Sequence, residues 1–129
     1  MRKELIITIL VFLIIFISDI FLQNYIKGSV EEIKNDLENL KKEVLDSGIE
    51  SKELEEKVKK IYEKWEIKNK VLTFFVEHDE LEKVNTELNK IKGYFEVDMK
   101  DDSMTDINET IYVLEHIREK QKVSLKNVF

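Results

Sequence analysis

Residues Leu5 to Leu22 read LIITILVFLIIFISDIFL, eighteen positions with a single charge, at Asp19. At about 1.5 Å per residue, a helix of that length reaches about 27 Å. This is close to the roughly 30 Å hydrocarbon core of a bilayer and longer than the apolar region of most cleaved signals. The run therefore predicts a transmembrane anchor. A cleaved leader would want small residues before the cut, and ISDIFLQNYIKGS offers only Gly28 and Ser29. Arg2, Lys3 and the terminal amine precede the run, whereas Lys27 is followed by Glu31 and Glu32, so the positive-inside bias puts the N-terminus in the cytoplasm. The expected division is an anchor with its flanks over residues 1–27 and an extracytoplasmic domain over 28–129, the lipid bilayer being met through residues 5–22.

Asp19 lies three residues from the outer end of the run, where its carboxylate can reach headgroup water at well below the ~2.5–3.5 kcal/mol of a helix centre. It reads as an interfacial acid or, more sharply, as an intramembrane contact to a membrane partner or a second copy. Phe21 and Tyr25 suit the aromatic belt on that side.

The remaining hundred or so residues suffice for one small domain. Proline is absent and glycine occurs three times among abundant Glu, Lys, Leu and Ile, the composition of a chain helical nearly end to end. The absence of cysteine rules out disulfides and thiolate metal sites. With Arg2, Lys3, Glu4, Asp19 and Lys27 set aside, 18 basic residues face 25 acidic ones, a balance that repels phosphate backbones and argues against a nucleic-acid partner.

Local signals predict four helices. Gly28 can end the anchor helix, and SVEE follows, with Ser29 as N-cap and Glu32 three residues on, before the stripe Val30, Ile33, Leu37, Leu40, Val44. That stripe would equally suit a short parallel coiled coil between two anchored copies, but under two heptads of seam favours folding back on the same chain. Gly48 closes this helix, and Ser51 can cap the next, which carries Leu54, Val58, Ile61, Trp65, Leu72 and Phe75. Ile67, Val71 and Phe74 make its second half apolar on two sides, which predicts a helix buried between neighbours, the spine of the domain. Asp79 with Glu82 can cap a third helix bearing Leu81, Val84, Leu88, Ile91 and Phe95, with Gly93 either a fraying point or a close backbone approach. Ser103 with Asp106 can cap a fourth bearing Met104, Ile107, Ile111, Leu114 and Ile117, and the tail residues Val123, Leu125, Val128 and Phe129 are apolar enough to dock. Short connections between amphipathic helices predict an all-α fold, a transmembrane helix followed by an antiparallel up-and-down bundle of about four helices.

In such a bundle the start of the third helix lies beside the end of the fourth, which brings His78 towards His116 among Glu77, Asp79, Glu80, Glu115 and Glu119. His78, His116 and Glu115 are thus the candidate ligands of a divalent metal, in a sensor-like alternative. The spacings of paired-histidine proteases and of di-iron bundles do not occur, and the plainer reading is a turn-capping His78 and a solvated His116. Tyr62, Trp65, Phe74, Phe75, Tyr94 and Phe95 read as core aromatics before they read as a ligand set. No phosphate loop, serine elbow or catalytic cysteine occurs, so no cofactor and no enzymatic activity are expected.

The anchor, the acidic helix, YEKWEIKNKVLTFFVEHDELEKV, LNKIKGYFEV and the closing VLEHIREKQKVSLKNVF together resemble a family of bacterial single-pass proteins of about this length. That family carries a domain-of-unknown-function heading and is found mainly in spore-forming anaerobes. Trp65, His78, Leu81, the LEHI of Leu114 to Ile117 and the terminal SLKN carry the likeness. The resemblance implies an all-helical anchored domain and no activity, and Asp19 departs from the plain anchor it implies. The expected role is a non-enzymatic protein-interaction module held outside the cytoplasmic membrane, with a membrane protein or a second copy as partner.

Overall fold

The computed structural model describes residues 2–128, with side chains described through Gln121. The chain is all-α: α1 (Arg2–Val44), α2 (Ser51–Leu72), α3 (His78–Glu96) and α4 (Ser103–Val128), with one 3₁₀ turn at Lys100–Asp102 leading into α4. The docking expected of Val123, Leu125, Val128 and Phe129 lies outside the described side chains.

Ion pairs between helices fix the topology. Glu43 pairs with Lys57, and Asp36, seven residues back on α1, pairs with Lys64, seven residues forward on α2, at 2.9 Å. Glu32 and Lys68, four further along in each direction, pair at 2.7 Å. Only antiparallel helices keep such a register. Lys34 to Glu115 and Glu31 to Arg118 repeat the pattern between α1 and α4, and Lys83 to Glu109 with Glu80 to His116 run in the same antiparallel sense between α3 and α4. Helices α1 and α2, α2 and α3, α3 and α4, and α4 and α1 pack as neighbours, which makes an up-and-down bundle of four helices.

Each helix contributes one buried stripe. Val30, Ile33, Leu37, Leu40 and Val44 of α1 meet Leu54, Val58, Ile61, Trp65 and Leu72 of α2, Leu81, Val84, Leu88, Ile91 and Phe95 of α3, and Ile107, Ile111, Leu114 and Ile117 of α4. Trp65 is fully buried, and its indole N–H donates to Asn85 Oδ1 on α3, so the largest core side chain leaves no polar atom unpaired.

Helix α1 does not stop at Gly28. It runs unbroken for 43 residues, with Ser29 inside it and buried. A glycine in a helix costs about 1 kcal/mol against alanine, whereas a break would give up backbone hydrogen bonds and interrupt a stripe in which Ile26 and Val30, on either side of Gly28, are both fully buried. The local capping signal loses to tertiary packing.

The other expected caps move by a residue. α2 starts at Ser51 itself, after Glu50, and α3 starts at His78, after Glu77, neither cap making a side-chain bond. Asp79 instead lies in the first turn of α3, where an acid favours the helix dipole. Ser103 Oγ donates to the Lys100 carbonyl. Gly93 is neither a fraying point nor a close approach: it lies inside α3 with open space where a Cβ would be.

The spine reading of α2 is overturned. Ile67 is 67% exposed, Phe74 79% and Phe75 47%, and Val71 is exposed as well. A helix at the corner of a four-helix square buries one stripe between two neighbours, so a second apolar face is left outside.

The first half of α1 emerges from one end of the bundle, here termed the proximal end. It contains an eighteen-residue window with no buried residue, long and apolar enough to cross a membrane, and its position near the N-terminus also suits a signal sequence.

Candidate functional site

The proximal end gathers the Glu77 to Leu81 start of α3, the last described turns of α4 and the 73–77 turn between α2 and α3. His116 Nδ1 lies 2.6 Å from Glu80 Oε1, and Lys120 Nζ lies 2.9 Å from Glu77 and 3.8 Å from Glu80. The hydrogen bond to Glu77 holds the Lys120 ammonium above its ordinary pKa, against the opposing pull of desolvation. His78 Nε2 is 3.3 Å from Glu82 on its own helix, and its side chain is 80% exposed.

Glu115 does not join these groups. Its carboxylate meets Lys34 of α1 at 2.9 Å. Consecutive helical residues point about 100° apart, so Glu115 serves α1 while His116 serves α3. Among the described residues, no group of three or more His, Cys, Asp or Glu is arranged to hold a metal ion.

Asp19 is half-buried, in contrast to most of the run before it. With Leu22 and Gln23, also half-buried, and the fully buried Ile26, it continues the core-facing stripe of α1 towards the N-terminus. The acid therefore lies on the bundle side of α1.

The aromatic set divides. Trp65 and Phe95 are core, Tyr62 and Tyr94 are half-buried, and Phe74 and Phe75 stand in the open with ring centroids 6.3 Å apart.

At the distal end, the α1–α2 and α3–α4 connections are tied together. Lys100 Nζ donates to the carbonyls of Asp46 and Ile49, at 3.2 and 2.8 Å, and Ser51 Oγ donates to Asp98 Oδ1 at 2.6 Å. Asp98 has φ 58°, a left-handed conformation that an aspartate adopts at some cost. It ends α3 in a Schellman arrangement: Met99 N–H donates to Tyr94 O and Asp98 N–H to Phe95 O. Between the two connections lies an open cleft of about 570 Å³, whose walls carry the acids Glu50, Glu55, Glu96 and Asp98 and the bases Lys52 and Lys100. Its lining is predominantly charged and polar.

One buried acid went unread in the sequence. Glu87 is 4% exposed between α3 and α4, with Oε1 3.3 Å from Lys90 Nζ and Oε2 buried without a donor. Burial raises its pKa, and the neighbouring Asp106 carboxyl raises it further, against the lowering pull of Lys90. The signal was present: from Val84 the helical step reaches Glu87 and Leu88 equally well.

A family described as a domain of unknown function, DUF4363, matches residues 20–128. The chain belongs to the DUF4363 family. The DUF4363 span starts at Ile20, in the last turns of the apolar run, and takes in the whole bundle, both tied connections and the proximal cluster of Glu80, His116 and Lys120. No curated protein and no solved structure matches the chain.

Proposed function

We propose that this DUF4363 protein is a single-pass membrane protein of the kind the sequence resemblance implies, N-terminus inside and bundle outside, acting by binding another protein rather than by catalysis. The observation that carries the reading is the unbroken course of α1, exposed and apolar in its first half and core-forming in its second. A flexible tether would let the bundle wander. A continuous helix holds it at a set height, since the twenty-two helical steps from Leu22 to Val44 rise about 33 Å. The acidic distal cleft then stands farthest from the lipid, facing whatever approaches from outside. Confinement to the membrane raises the concentration at which the bundle meets other membrane proteins, so a modest intrinsic affinity suffices.

Two measurements test this. Protease added to intact cells making the full chain should remove the bundle and leave the anchor in the membrane fraction; a bundle cut only after permeabilisation, or released whole into the medium, sinks the topology. A photo-crosslinker placed at Lys52, on the cleft wall, should capture the same protein repeatedly from the anchored chain. Capture that is lost in an Asp19→Leu variant would assign partner selection to the intramembrane acid, and unchanged capture would limit Asp19 to an interfacial role.

A further inference from the structure

We infer that the turn between α2 and α3 is a second membrane contact, with Phe74 and Phe75 seated in the headgroup layer beside the anchor; this rests on the anchor reading above.

The register of the bundle supplies the height. Glu32 of α1 is level with Lys68 of α2, and four residues along each helix bring Gly28 level with Leu72, where α2 ends; the hydrogen-bonded turn 73–76 carries on from there towards the level of Tyr25. Tyr25 is three residues, or about 4.5 Å, beyond Leu22, where the apolar run ends. Headgroups occupy about 5–8 Å on each side of the hydrocarbon. A turn at that level lies within them.

The chemistry fits the location. From Val71 to Val76 the sequence VLTFFV carries no charge. Phe74 is 79% exposed and Phe75 47%, apolar surface that the bundle itself does not cover. The backbone is prepared for a poorly hydrated layer, where an unpaired amide would be costly. Thr73, Phe74, Phe75 and Val76 N–H groups donate to Asn69, Val71, Leu72 and Leu72 carbonyls, and the Thr73 hydroxyl donates to Asn69. Gln121 Nε2 of α4 donates to the Phe75 carbonyl at 3.4 Å. Glu77 and Asp79 follow the turn, so apolar insertion rather than attraction to anionic lipid drives the contact, and a neutral bilayer is sufficient. Ile67, farther out by the same register, stays in water. With the turn and α1 both in lipid, anchor and bundle are limited in how far they can tilt together against the membrane.

The chain has no cysteine, so single cysteines label cleanly. The full chain carrying Phe74→Cys, Leu10→Cys or Ser47→Cys, each with an environment-sensitive fluorophore, is placed one copy per nanodisc of phosphatidylcholine with quenchers on the headgroup or in mid-chain. Position 74 is expected to show blue-shifted emission and to lose fluorescence mainly to the headgroup quencher, position 10 to the mid-chain quencher, and position 47 to neither. Position 10 quenched while position 74 is not would remove the turn contact and leave the anchor standing. Position 10 unquenched would remove the anchor and the turn contact with it. Shielding of position 74 only in discs holding two copies would assign the surface to self-association and overturn the lipid contact. A Phe74→Ser, Phe75→Ser variant labelled at position 47 should report freer bundle motion, with unchanged helicity and melting confirming that the fold is intact; unchanged motion would count against the contact.

Discussion

Ser51 and Asp98 lie 47 residues apart in sequence and 2.6 Å apart in space, oxygen to oxygen. The serine at the start of α2 pins the strained residue that ends α3, so the distal end closes through one hydrogen bond and the two Lys100 contacts. Asp98→Ala keeps a Cβ in the left-handed region and loses the bond, and is expected to cost about 1–3 kcal/mol. Asp98→Gly relieves the backbone while losing the same bond, and should cost less. Chemical denaturation of the pair of variants checks the order; a glycine variant weaker than the alanine variant would mean the backbone carries no strain.

Glu87 gives a pH dependence of definite sign. Its folded-state pKa is raised by burial first and by Asp106 second, so its stabilising contribution is present below its unfolded pKa and lost as pH rises through the folded value. Ionising the group inside the fold is therefore a cost. Glu87→Gln is expected to raise the melting temperature by a few degrees at pH 7, on the order of 1 kcal/mol, and the gain should vanish on acidification below the ordinary glutamate range. Calorimetry across that range decides it.

The continuity of α1 predicts opposite outcomes for two substitutions at one position. Gly28→Ala fits the open space at the Cβ and should stabilise the chain by about 0.5–1 kcal/mol. Gly28→Pro removes a helical N–H and clashes with the preceding turn, which costs about 3 kcal/mol or more. Thermal melts in detergent read both. Equal behaviour of the two would mean that the helix is already broken there.

The buried Trp65 of α2 and the half-buried Asn85 of α3 form a polar pair. Asn85→Ala leaves the indole N–H without its partner and is expected to cost about 1–3 kcal/mol. The double variant Trp65→Phe, Asn85→Leu, which removes donor and acceptor together, should cost less than the separate losses added. A double-mutant cycle by urea denaturation measures the coupling.

The stripes were legible in the sequence because each helix buries one face and the three-four stepping marks it: Val30 to Val44, Leu81 to Phe95 and Ile107 to Ile117 all reach the core. Boundaries were not, because they are decided by distant contacts. SVEE carries the local signature of a helix start, yet Ile26 and Val30 are packed on the same core and hold the helix through it. Ser51 has the chemistry of a cap, yet its hydroxyl is drawn to Asp98. The second apolar face of α2 shows the limit of periodicity, which identifies an apolar face and not what covers it. Of the metal candidates, His116 and Glu115 are adjacent in the chain and serve different neighbours, a divergence inherent in the helical rotation; the partnership of His116 with Glu80 depends on how α3 and α4 slide against each other, which no local pattern records.

An uninterrupted α1 also transmits phase. One residue inserted after Gln23 would rotate every side chain of the bundle by about 100° against Asp19, whereas four inserted residues would leave a net turn of only about 40°. The azimuth at which the distal cleft faces its surroundings is therefore set by counting residues along a single rod, and a neighbour engaged at Asp19 would meet the bundle from one bearing only.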